Sequence, residues 1–179
     1  VAALAGDEVF VSGMMDHGLG TQAGCVQVFG VESTRHQSCF GETCPCGNDD
    51  PLAGCSNSTG AGAELFALGS ASISEDDLVV GVRGLPARTP VLVFHASSVG
   101  LAFFGDGILC VGGGSLTRTG RLGAVRRASE EGEARWGPGL LGTPGMAERM
   151  HLQAVYRDGQ GLCGSGLNLS NALEFEVLP

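Results

Sequence analysis

A chain of 179 residues is long enough to bury one good-sized core, so cross-links would supplement burial rather than replace it. Its net charge of −9 would repel phosphate backbones, which argues against nucleic acid as a partner. All ten basic residues are Arg, so neither a Walker-type phosphate loop nor Schiff-base catalysis, each dependent on a Lys amine, is open to it.

No apolar run approaches the roughly 20 residues of a membrane-spanning helix. A first residue of Val1 rather than Met is the start expected of a processed chain. Gly supplies 31 residues while aromatics make up only 6%, so turns are frequent and the core must rest on Val, Leu, Ala and Phe. That balance favours many short strands.

In chain order, the first signals are two alternating runs, Glu8 to Ser12 and Gly24 to Phe29, joined by a loop from Gly13 to Ala23. They predict a β-hairpin arm over residues 1–31. The stretch from Gly6 to Gly13, followed by Gly20 to Phe29, resembles the latter half of an FG-GAP repeat, the unit that builds the blades of integrin-type β-propellers. In that family the intervening loop often binds calcium through several Asp and Asn residues; here it offers Asp16 alone.

Residues 32–59 show little periodicity and much turn chemistry, including Cys44-Pro45-Cys46-Gly47-Asn48-Asp49-Asp50-Pro51, and are expected to form a disulfide-pinned loop region. The chain has seven cysteines: Cys25, Cys39, Cys44, Cys46, Cys55, Cys110 and Cys163. Such clustering points to an oxidising compartment. Six cysteines allow 15 pairings among which sequence alone does not choose. The expectation is a bridge from Cys110 to Cys163, with Cys39, Cys44, Cys46 and Cys55 paired among themselves. Cys25 is then the odd one, a buried free thiol or a link to another chain.

Over residues 60–179, strand signals recur at Ala63 to Leu68, Ala71 to Ile73, Leu78 to Val82, Val91 to His95, Gly107 to Val111, Leu116 to Thr117, Leu152 to Tyr156 and Leu173 to Val177. With turns between them and no long amphipathic helix, they predict an all-β fold, an antiparallel β-sandwich of about seven or eight strands. The polar stretch Arg126 to Arg135 reads as a solvated loop or hairpin tip. A series of blocks then occurs in order: Cys44 to Asn48, Gly54 to Gly60, Asp76 to Val80, Gly84 to Pro86, Phe104 to Gly113, Gln153 to Asp158 and Leu167 to Leu173. The series is similar to an uncharacterised C-terminal β domain of large secreted bacterial proteins, often found behind β-propeller repeats. That resemblance spans about residues 39–179 and implies an extracellular or cell-surface location but no activity.

Candidate chemistry is sparse. Cys44, Cys46 and Cys55 with Cys39 or His36 supply four potential zinc ligands, but a Cys-x-Cys step is a poor knuckle and disulfides are the expectation. Asp16, Asp49, Asp50 and Asp106, together with Asp76 and Asp77, are weak calcium candidates, since Asp is also the ordinary turn residue. Asn57 and Asn168 head Asn-x-Ser/Thr glycosylation triplets. No Gly-x-Ser-x-Gly elbow occurs, and His17, His36, His95 and His151 are isolated from one another, so no catalytic residue and no cofactor is expected. The leading expectation is therefore a non-enzymatic, extracellular structural or adhesive module that associates with itself or with other cell-surface proteins. In its self-assembling form, a fibre or surface-layer subunit, the N-terminal strands add to a neighbour's sheet; the alternative, slightly preferred, is that residues 1–31 fold back on their own domain. The rival readings are a carbohydrate- or ligand-binding anchoring domain, against which the scarcity of aromatic platforms counts, with only Trp136 and Tyr156 available besides phenylalanine, and a secreted hydrolase.

Overall fold

Two strands with side chains buried on both faces organise the molecule. In the computed structural model, Arg149–Asp158 directs Met150, Leu152, Ala154 and Tyr156 to one side, while Gln153 and Val155 point to the other. Alternate side chains of a strand face opposite ways, so such a strand must be covered twice. The structure describes the strand backbones at 2–5, 8–13 and 25–30, and residues 35–114, 119–141 and 149–179. It divides into two units, Val1–Thr34 and Arg35–Pro179.

The first unit is a three-stranded antiparallel sheet in the order β1-β2-β3, with β1 Ala2–Ala5, β2 Glu8–Gly13 and β3 Cys25–Gly30. The expected hairpin is β2 and β3, in register from Glu8 opposite Gly30 to Gly13 opposite Cys25. Asp16, His17 and the Cys25 side chain lie outside the described residues.

The second unit is the expected all-β sandwich. It contains β4 Arg35–Ser38, β5 Glu64–Leu68, β6 Val79–Arg83, β7 Pro90–Ala96, β8 Val99–Phe104 and β9 Gly107–Val111. After a short 3-10 turn follow β10 Gly120–Arg121, β11 Arg126–Arg127, β12 Ala134–Trp136, β13 Arg149–Asp158 and β14 Gly166–Glu176. The central sheet has the order β10-β7-β13-β14-β4, with β11 also pairing β7. On one face lies the sheet β12-β6-β5; Leu65, Val80, Val82 and Trp136 meet Val91, Val93, Leu152, Tyr156, Leu173 and Phe175 to form the main core. Each fully buried Leu or Phe there contributes roughly 1.5–3 kcal/mol of transfer free energy. The opposite face is covered more thinly: Leu109 and Val111 of the β8-β9 hairpin pack on Phe94, Ala96, Leu169 and Ala172.

Several elements differ from the sequence expectation. β4 draws residues 35–38 out of the loop region and into the central sheet, pairing Ala172 with Ser38 and Phe175 with Arg35. β14 begins at Gly166, seven residues before the run expected at Leu173, because Asn168, Ser170 and Asn171 are buried polar residues that hide its strand character. Ala71 to Ile73 is no strand; a single parallel bridge joins Ser72 to Leu178. The run at Leu116 to Thr117 lies outside the described residues. The polar stretch is a hairpin whose arms serve different sheets, β11 pairing with β7 and β12 with β6. Glu130 and Glu131 are exposed at its tip.

Candidate functional site

The cysteine-rich segment folds over the thinly covered face, fastened there by two disulfides and closed on itself by a third. Cys39 joins Cys110 (Cα–Cα 6.2 Å), Cys44 joins Cys55 (5.8 Å) and Cys46 joins Cys163 (5.6 Å). This corrects the expected pairing, of which the local pattern within the cluster survives only at Cys44–Cys55. The reason is topological. β9 brings Cys110 beside the end of β4, where Cys39 turns out of the sheet with φ 59, whereas Cys163 sits in the turn between β13 and β14, over Cys46. A disulfide needs Cα atoms within about 7 Å, a condition set by the fold and not by spacing along the chain. Cys39, Cys44, Cys46 and Cys55 all lie in disulfides, as expected over the zinc alternative, and have no thiolate to offer a metal.

Around these bridges, polar side chains replace the missing apolar contacts. Asn48 Nδ2 donates to the carbonyls of Ser56 (2.8 Å) and Asp106 (3.0 Å). Asn168 Nδ2 donates to those of Cys55 and Ser56, each at 3.2 Å. Asn57 Nδ2 donates to the Gly84 carbonyl (2.8 Å) and to Tyr156 Oη (3.2 Å). Gln153, fully buried on β13, accepts from Cys110 N (3.0 Å) and donates to the carbonyls of Ile108 and Ser170, each at 2.8 Å, stitching β9 to the central sheet. Both glycosylation candidates are thus buried with their amides engaged, and neither is placed to carry a glycan.

The aspartates act as anchors for backbone. Asp106, fully buried, accepts from Cys163 N (3.0 Å) and Ser165 N (3.1 Å), and Asp158 accepts from Ser58 N (3.0 Å). Asp49 accepts from Cys44 N, and Asp50 from Leu52 N and Gly62 N. Asp76 and Asp77 likewise hold Leu141 N and Ser70 N. Among the described residues no group of three or more His, Cys, Asp or Glu side chains is arranged to hold a metal ion. Gly161 fits here because a Cβ would fall 2.2 Å from Asp106 Oδ2, and Gly54 because one would fall 2.2 Å from the Leu169 carbonyl oxygen. Sequence reasoning missed Asn48, Gln153, Asn171 and Asp158; the available signal was a polar residue inside an apolar strand, as in Leu152-Gln153-Ala154-Val155.

His36, His95 and His151 lie on three different strands, β4, β7 and β13. His36 is exposed on β4, and His151 Nδ1 stands 3.6 Å from Glu174. Burial lowers the pKa of His95 below its ordinary 6.5. Burial likewise raises the Tyr156 phenol well above its ordinary 10.0, with the nearby carboxylates of Asp158 and Asp106 adding to the rise. Trp136 and Tyr156, the two aromatics besides phenylalanine, are fully buried, and Trp136 Nε1 donates to the Ala124 carbonyl (2.8 Å).

A row of apolar side chains on one strand lies exposed. On β8, Val99, Leu101 and Phe103 point to solvent while Gly100, Ala102 and Phe104 are half-buried. No protein-family model, curated protein or solved structure matches the chain. No helix among the described residues is long and apolar enough to cross a membrane.

Proposed function

We propose that the chain is an extracellular structural or adhesive module of a bacterial cell surface, in which the N-terminal strands add to the open sheet edge of a neighbouring molecule. The observation that carries this reading is the three-stranded sheet of residues 1–34. Its outer strand β1, Ala-Ala-Leu-Ala, bears no charge, and charge is the usual guard of an exposed edge. Repeated head to tail, strand addition of this kind gives a fibre and not a closed ring.

Two further observations support it. Three disulfides suit an oxidising compartment. The blocks that resemble the C-terminal domain of secreted bacterial proteins meet in the polar layer: Asn48, Asn57, Asp106, Gln153 and Asn168 come from five of them, and each holds backbone or a neighbouring side chain in place. Their chemistry is that of fold maintenance. Sedimentation velocity of the whole chain tests the proposal: large assemblies are expected, and replacing Ala3 and Leu4 with Lys and Glu should dissolve them. A strict monomer at all concentrations would refute it.

A further inference from the structure

We propose that β8 is a self-association surface, pairing antiparallel with β8 of a second copy about a two-fold axis through Leu101. Val99, Leu101 and Phe103 are 63%, 74% and 64% exposed, an alternating apolar row on the outer face of a strand whose ladder partner among the described strands is β9. Exposed edge strands ordinarily carry Lys, Glu or Pro against unwanted pairing. From Val99 to Gly114 the one ionisable side chain besides the disulfide-bonded Cys110 is Asp106, which is fully buried.

That neutrality identifies the partner as another copy. Two chains of charge −9 repel each other over most of their surfaces, and a strip without charge is where they can meet without placing like charges together. The row is also self-complementary. Antiparallel pairing centred on Leu101 sets Leu101 opposite Leu101 and Val99 opposite Phe103, which doubles the row as the two β8 edges away from β9 pair with each other. Three side chains per copy fall far short of the roughly 800 Å² per partner of a standard stable interface, so the dimer is weak and concentration-dependent. Salt should strengthen it, by screening the net repulsion, where it would weaken an interface made of ion pairs.

This contact uses a different strand from the N-terminal addition proposed above and stands independently of it: changes in β1 should leave it intact, and changes in β8 should leave β1-driven assembly intact. The test is analytical ultracentrifugation of the full chain with the Ala3 and Leu4 replacements, read up to high protein concentration and at two salt concentrations. Dimerisation that tightens with salt is expected, and Leu101→Lys should weaken it by roughly twofold to fivefold from the lost Leu101 cross-strand pair; the near-ultraviolet circular dichroism of buried Trp136 reports that the variant is folded. In a Cys25→Ser background, Leu101→Cys should oxidise to a covalent dimer because the two-fold brings that position against itself, whereas Phe103→Cys should not. A monomer at every concentration, a dimer indifferent to Leu101→Lys, or equal cross-linking at 101 and 103 would overturn the proposal.

Discussion

The two faces of the central sheet are covered by different means. Against one, β12-β6-β5 lays down Trp136, Leu65, Val80 and Val82, a mainly apolar contact to which Asn171 adds hydrogen bonds with the Leu65 backbone. Against the other, β8-β9 and the cysteine-rich segment bring few large apolar residues, and the layer depends on three disulfides and on buried Asn, Gln and Asp side chains that bond the backbone of irregular segments. Irregular backbone packed inside a protein must find partners for its N–H and C=O groups, and side-chain amides and carboxylates provide them here. The comparison teaches that the conspicuous residues of this sequence serve the weaker layer.

The largest expected effect is in the apolar layer. Trp136→Ala removes a fully buried ring together with its hydrogen bond to the Ala124 carbonyl, and should lower stability by about 3–5 kcal/mol, read as a drop in the urea midpoint. Replacing both Cys46 and Cys163 with Ser opens the bridge of longest separation, 117 residues, and should cost about 2–5 kcal/mol, with the loss concentrated in the polar layer. Asn168→Ala removes the side-chain donor to the Cys55 carbonyl and the acceptor of Leu169 N, while the Ser56 carbonyl keeps Asn48 Nδ2, and should cost about 1–3 kcal/mol by the same urea measurement.

The smallest effect is a pH slope. The Tyr156 phenol is raised above its ordinary 10.0, so above pH 10 the unfolded chain loses a proton that the folded chain keeps, and stability falls as pH rises. Tyr156→Phe should flatten that slope in urea titrations between pH 9 and 11, although it also removes the acceptor of the Asn57 hydrogen bond.

How far the sequence revealed this arrangement follows from the same division. The sandwich layer was legible because Leu152 to Tyr156 and Leu78 to Val82 follow the period-two rule that burial imposes. The polar layer was legible only as cysteine clustering. Its pairing depends on which strands lie side by side, and the glycosylation pattern at Asn57 and Asn168 reports a triplet, not the burial that decides whether the amide is free. The strand β8 carried the alternation Val99, Leu101 and Phe103 but was not among the strands expected, with Gly100 interrupting its strand character; in the structure the row faces solvent.

Hydrogen exchange with and without reductant tests the division between the two layers most directly. Once the disulfides are reduced, the amides of Ser56 and Asp106, bonded to the carbonyls of Asn48 and Leu167, should exchange rapidly while those inside β6 and β13 keep their protection. Simultaneous loss of protection in both layers would contradict the account, since it would mean that the apolar sandwich cannot stand without the cross-links on its far side.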